Sequence, residues 1–398
     1  MSGAPSDRRS TRAYAVTAYA AVNALGTSTR KVIAALDAGC SGLRACPLDV
    51  PFVAPTGVMA DPLPALSARL ADHDSRTARL AVAGLVEILP AVARAVARRG
   101  AGRVALVVGT TTAGLGRTEQ AYGIFRRTGA LPDDYDVHRQ HSFGSLIEAV
   151  RVTAGIGGPA YVVSTACSAS AKAIASAQRL LDNDVADAVI VGGVDGLCQI
   201  TLRGFHSLDI LSDETCRPFS TARKGINLGE GAAYLLLERD GDAATALLGS
   251  GESSDAYHMT APHPEGQGAR TAMASALAQA GLLPTEIDHI NAHSPGTRQN
   301  DLSEGKAITS LFGGDVPVAS TKGYTGHLLG AGGVTEAIFA IVAVEQGWIP
   351  ASLGADPVDA ALGLNVPTRK MERRCRAVLS NSFAFGGNNV SVIFGRAA

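Results

Sequence analysis

The sequence predicts an α/β chain built on a mostly parallel sheet and divided into two halves. Three observations lead there. Short apolar β-type runs alternate with longer stretches whose apolar residues recur at helical spacing. The alternation pauses once, near residue 243, and then resumes. The composition, 46% hydrophobic and 18% charged, is that of a well-buried globular chain and excludes disorder. Glycine makes up 45 of 398 residues, about 11% against a usual share of roughly 7%. It shows no period of three, which excludes a collagen-like repeat.

The elements follow in order. Arg8, Arg9 and Arg12 precede an alanine-rich run, Ala13 to Leu25, in the manner of a signal peptide. That run is only weakly hydrophobic, contains Thr17 and Asn23, and reads as a buried strand entering a turn at Gly26. Arg76 to Arg99 reads as a helix. Arg103 to Val108, Ala160 to Val163 and Ala188 to Val191 read as strands buried on both faces, because they are nearly continuous apolar runs. Ser168 to Leu181 is a helix between the last two, giving βαβ units. Leu235 to Glu238 ends a strand, and a polar turn through Gly241 follows. Thr271–Ala280, Leu302–Phe312 and Gly333–Gln346 then read as helices. Ile287–Ala292, Val316–Ser320, Arg376–Ser382 and Asn389–Phe394 read as strands. The expected division is 1–243 and 244–398, in one compact body because no low-complexity linker intervenes. No direct sequence repetition relates the halves. No run of 18 apolar residues is present, so no membrane span is expected.

Charge and cysteine narrow the function. Thirty-five basic against 36 acidic residues give a net charge of −1, and no general attraction to nucleic acid or anionic membrane. The clusters Arg126-Arg127 and Arg373-Arg374 read as solvated faces. Six scattered cysteines without a C-x-x-C pair indicate neither a zinc site nor a disulfide framework, and suggest reduced thiols in a cytosol.

Four segments carry candidate chemistry. In Val163 to Ser170 a strand runs into a small-residue helix with Cys167 at the junction, where the helix dipole is expected to lower the thiol pKa. In Asn291 to Asp301 a strand ends at His293, and a Gly/Pro turn leads to a helix that Asp301 can cap. In Ser320 to Gly333 a glycine-rich turn carries Lys322 and His327. In Asn381 to Asn389 paired glycines follow Phe385, as for a backbone held close to a ligand. Each segment alone has a bland reading: a core cysteine, a satisfied histidine, a tight turn. Together they lie where α/β proteins place their sites, at the carboxyl ends of strands. The glycines at Gly192-Gly193, Gly229–Gly231, Gly323–Gly333 and Gly386-Gly387 read as the turns that flank them.

In order and spacing these segments resemble the elongating β-ketoacyl-ACP synthases of the thiolase superfamily, from about Ala13 to Arg396. Cys216–Phe219, Gly225–Ala232, Ser254–Thr260, Asp301, Glu304 and Glu336 extend the match. The resemblance implies a thiolase-like fold, two related α/β halves in a layered α-β-α-β-α body. The first half would carry the nucleophile, the second both histidines and the lysine. It implies a Cys167-His293-His327 site, with Lys322 holding His293 and Glu336 compensating Lys322. Initiating and chalcone-type enzymes are set aside, because they have asparagine where His327 stands. The implied reaction is transfer of an acyl group to Cys167, then decarboxylative Claisen condensation with malonyl-ACP. The N–H groups of Cys167 and Phe385 would form the oxyanion hole. Thr297 would contact the phosphopantetheine arm, and Thr112, Phe205 and Phe383 the rest of the substrate. No metal and no bound cofactor are implied. The partners would be acyl carrier protein, received by Arg126 and Arg127, and a second subunit in a homodimer or in a heterodimer with a chain-length-factor-like chain. The setting would be cytoplasmic.

Three departures bear on substrate. Pro295 replaces the family's second threonine, the loop from Leu211 to Arg217 is short, and Thr112 stands where a bulkier apolar residue is usual. They point toward type II systems making polyenes, aryl-polyene and highly reducing polyketide pathways included. Two other readings remain open from the residues: a Cys-dependent acyltransferase or thioesterase on the same fold, and a non-catalytic partner subunit.

Overall fold

A computed structural model describes residues 12–59 and 62–397; Arg8 and Arg9 lie outside them. The alanine-rich run is β1, Tyr14–Asn23, and it turns at Gly26 as expected. The remaining strands of the main sheet are β2 Val104–Gly109, β3 Ala160–Val163, β4 Ala188–Asp195, β5 Gly231–Glu238, β6 Thr245–Ser254, β7 His289–Asn291, β8 Val318–Ala319, β9 Ala377–Phe383 and β10 Asn388–Arg396. Their order across the sheet is β8-β7-β9-β10-β6-β1-β5-β4-β2-β3.

This order contains a repeat that the sequence hides. Numbered from its own first strand, each half reads 3-2-4-5-1. The β2–β3, β2–β4, β7–β8 and β7–β9 pairs are parallel, and the pairs of β5 and of β10 are antiparallel. Within the sheet, the halves join through a short antiparallel contact, Tyr14 and Ala15 of β1 against Leu247 and Ala246 of β6.

Helices complete five layers. α1 Arg76–Leu85, α2 Leu89–Arg99, α3 Leu115–Thr128 and α4 Phe143–Ala154 precede β3. α5 Ala169–Asp182 joins β3 to β4, and α6 Gln199–Ser207 follows β4. α7 Gln267–Ala280, α8 Arg298–Phe312 and α9 Gly332–Gln346 serve the second half. α5 and α9 pack on each other between the two half-sheets, and α9 is buried from Gly332 through Val344. They approach so closely that a Cβ on Gly333 would sit 2.5 Å from the Ala171 backbone nitrogen. α1 and α4 cover the outer face of the first half and α7 that of the second.

Three expectations are corrected. The Arg76–Arg99 run is not one helix: a tight 3-10 turn, Val86–Ile88, separates α1 from α2. Pro90, in the first turn of α2, has no N–H to continue a longer helix. β3 is not buried on both faces, because it pairs only with β2 at the sheet's end, and Tyr161 is exposed. Gly192 and Gly193 lie inside β4, not in a turn. Their missing side chains admit the Tyr234 ring and Ser170, which a Cβ would meet at 2.6 and 2.8 Å.

Two helical stretches, Arg76–Arg99 and Leu329–Gln346, are long and apolar enough to cross a membrane by length and composition. The first is broken as described, and the second is the helix between the half-sheets.

Candidate active site

The strands of both halves deliver their carboxyl ends to one place. Cys167 lies in the turn from β3 into α5, where Ala166 adopts a left-handed φ of 51°, a conformation that non-glycine residues rarely hold. This strained turn places the thiol two residues before the helix and under it, 8% exposed. The backbone N–H groups of Cys167 and Phe385 lie beside the sulfur and favour its thiolate form. The expected low thiol pKa is not found: burial pushes it up to about 12, against the pull of the Lys322 charge and those two donors. Desolvation here outweighs the helix dipole.

His293 follows β7, and its turn is held by Glu304 of α8. One Glu304 oxygen accepts the His293 N–H at 2.9 Å and the Asn381 amide at 3.1 Å; the other accepts the Ser294 N–H at 2.7 Å. His327 follows β8, its N–H bonded to the Asn227 carbonyl at 2.7 Å and its carbonyl to the Gly229 N–H. The two imidazoles meet edge to face, centroids 5.3 Å apart, with Phe383 6.3 Å beyond His293. Burial, then the Lys322 charge, holds both well below the usual histidine pKa. Both rings are therefore neutral, each with one N–H to donate. The Nδ1 of His327 is buried and has no hydrogen-bond partner among the described residues.

Lys322 and Glu336 form a buried ion pair, Nζ to Oε1 2.6 Å, between the turn after β8 and α9. The ammonium makes no hydrogen bond to His293 among the described residues, so it acts on the histidines by charge alone and not as their holder.

A cavity of about 640 Å³ opens over this cluster. Cys167, His293, His327, Phe385, Phe205, Phe383 and Thr297 line it, and the Phe205 and Phe385 rings lie 5.8 Å apart. One expectation fails: Thr112 does not line the cavity, because its hydroxyl donates to Asp195 Oδ1 at 2.7 Å. Arg126 and Arg127, expected to receive the carrier protein, are exposed in the last turn of α3, outside the cavity lining. The basic residues that do are Arg223, Lys224 and Arg298. The cap of α8 is Thr297, not Asp301; the Asp301 carboxyl instead accepts the N–H groups of Phe219 and Gly296 beneath the turn.

Sequence reading also passed over Asn300, whose amide nitrogen is buried beside the cavity without a partner, and Asp195. Asp195 closes β4 and is fully buried. The rule that exposed the histidines, a polar residue at a strand's carboxyl end, would have found it.

"Beta-ketoacyl synthase, N-terminal domain" matches residues 75–243 and "Beta-ketoacyl synthase, C-terminal domain" residues 244–356. Nodulation protein E of Rhizobium meliloti is 33% identical over 346 residues, covering 82% of this chain and 86% of that protein. The 3-oxoacyl-[acyl-carrier-protein] synthase 2 of Staphylococcus aureus is 36% identical over 262 residues, 62% of this chain and 65% of its own. Among solved structures, a ketosynthase in complex with its chain length factor from Xenorhabdus doucetiae superposes with a TM-score of 0.90 at 38% identity, over 100% of both chains.

Proposed function

The chain belongs to the β-ketoacyl synthase family, condensing enzymes of fatty acid or polyketide biosynthesis, and on that premise we propose which of its residues perform the condensation. The observation that carries the proposal is the convergence in one cavity of a buried thiol, the Phe385 segment and two neutral imidazoles.

In the first half-reaction the Cys167 sulfur attacks an acyl thioester as its thiol gives up its proton; the C–S bond to the carrier breaks, that proton goes to the departing carrier thiolate, and an acyl-Cys167 thioester remains. In the second, a malonyl thioester loses CO₂, and the electron pair of the broken C–C bond becomes an enolate. The enolate carbon attacks the acyl-Cys167 carbonyl, and collapse of the adduct expels the Cys167 thiolate and leaves β-ketoacyl product on the carrier. Charge on the acyl oxygen falls to the N–H groups of Cys167 and Phe385. Charge on the enolate oxygen falls to His293 and His327. Each such donor contributes roughly 3–4 kcal/mol in a site closed to water. Each neutral ring keeps one N–H to donate to that oxygen. Burial, aided by the Lys322 charge, keeps both rings unprotonated, and Glu336 gives the buried ammonium its counter-charge.

The substrates arrive on the phosphopantetheine arm of an acyl carrier protein. Thr297 and the free Asn300 amide lie along its approach, where Pro295 offers no hydroxyl. The carrier's acidic surface meets Arg298 and Lys224. The second subunit is a chain-length-factor-like chain seated along the open edge of β3; the Xenorhabdus ketosynthase, solved with such a subunit, supports this choice. Six free thiols fit a cytoplasmic setting.

Replacing Cys167 tests the mechanism. Cys167→Ala abolishes acyl-enzyme and condensation product. Cys167→Gln still releases CO₂ from malonyl carrier protein, because the histidine donors remain. Mass spectrometry of the protein and a CO₂ assay read both; undiminished product from Cys167→Ala refutes the assignment.

A further inference from the structure

We propose that Asp195 is a positioning residue that sets the enolate-binding histidine against the nucleophile, by tying the turn of one to the turn of the other. The proposal rests on the condensing function argued above and adds to it a residue that touches no substrate. Asp195 has no exposed surface. Oδ1 accepts the Thr112 N–H and hydroxyl, both at 2.7 Å, the Thr110 hydroxyl at 2.8 Å and the Thr111 N–H at 2.9 Å. Oδ2 shares the Thr111 N–H at 3.1 Å, accepts the Thr111 hydroxyl at 3.0 Å, and alone accepts the Gly330 N–H at 2.6 Å.

Each oxygen leads to one reacting group. Residues 110–112 continue β2, and the Thr110 N–H bonds to the carbonyl of Val163 at 3.2 Å. Val163 is the last residue of β3, four before Cys167. Gly330 lies three residues after His327, in the short 3-10 turn that opens α9. The link Val163–Thr110–Asp195–Gly330–His327 therefore crosses from the first half of the molecule to the second directly beneath the site. The fit is close: a Cβ on Gly330 would lie 2.8 Å from Asp195 Oδ2 and 3.1 Å from the Thr110 backbone. Displacements of about 1 Å at reacting groups cost around a hundredfold in rate, so such a tether governs rate without meeting substrate.

The isosteric substitution Asp195→Asn cuts the link at a known point. Oδ1 holds four donors, so the amide oxygen stays there and the amide nitrogen faces the Gly330 N–H, which it cannot accept. Two partial reactions are read separately on the full chain. Acyl transfer to Cys167 is followed by mass spectrometry. CO₂ release from malonyl carrier protein is followed in the Cys167→Gln background. The expected result is a kcat for CO₂ release lower by roughly tenfold to a hundredfold with KM little changed, and acyl transfer within about twofold of wild type. Gly330→Ala, which pushes the same turn away from the other side, gives the same split and serves if Asp195→Asn does not fold. Equal losses in both partial reactions, or unchanged CO₂ release, overturn the proposal. If Cys167→Gln itself releases no CO₂, the condensing assignment falls, and the proposal with it; intact release in both proteins removes the tether alone.

Discussion

Cys167 is a nucleophile that rests protonated. With the thiol pushed up to about 12 by burial, the thiolate fraction between pH 7 and 10 grows tenfold per pH unit and shows no plateau. The rate of iodoacetamide labelling of Cys167 should therefore climb with unit slope in log rate across that range; a plateau near pH 8 would mean that the dipole and Lys322 prevail. The identity of this cysteine was legible from its place between a strand and a small-residue helix. Its protonation was not, because desolvation depends on how deeply the turn is covered, and local sequence does not carry that. Lys322 and Glu336 were legible as partners, and the 2.6 Å contact bears that out. Removing one side should be costly. Glu336→Gln leaves an ammonium buried without a counter-charge and should lower the unfolding free energy by about 3–5 kcal/mol, read from urea midpoints. Lys322→Met with Glu336→Gln should recover much of that loss. Thr112 was misread for a simple reason: its hydroxyl is taken by an aspartate 83 positions away.

At the scale of elements, the alternation of apolar runs and helices located nearly every strand to within a few residues. What failed depends on neighbours rather than periodicity. An apolar run such as Ala160–Val163 looks the same at a sheet's edge as at its centre. Gly192 and Gly193 look like turn residues until Tyr234 and Ser170 are seen against them. The α5–α9 contact makes the strongest demand. Gly333→Ala must force the two helices apart, since the new carbon would meet backbone at 2.5 Å rather than a flexible side chain. A loss of roughly 1–3 kcal/mol is expected. Condensation should fall by more than stability alone explains, because the turns of Cys167 and His327 sit at the starts of these two helices. Differential scanning calorimetry with a steady-state assay separates the two effects.

At the scale of the whole molecule, each half has an outer core of its own, but the inner core is shared. The inner faces of both half-sheets are covered by the same pair of helices, and α9 is buried against strands of each. The halves should consequently unfold together. The chain has a single tryptophan, Trp348, packed in that shared core just after α9. Its fluorescence reports on the second half, whereas far-ultraviolet circular dichroism reports on all helices. The two urea transitions should coincide; a separate, earlier tryptophan transition would show that the halves are independent.

The repeated 3-2-4-5-1 order also sets equivalent positions side by side. The turn bearing Cys167 and the turn bearing Lys322 and His327 are counterparts, each leading from the third strand of its half into the central helix. His293 answers to the threonines after β2, and Phe383 to Asp195, each closing the fourth strand of its half. A pair of identical units would carry two copies of every group about a twofold axis. Here the copies have diverged into complementary offices: one unit kept the thiol, the other the proton donors, and the twins released from chemistry became the mortar between them.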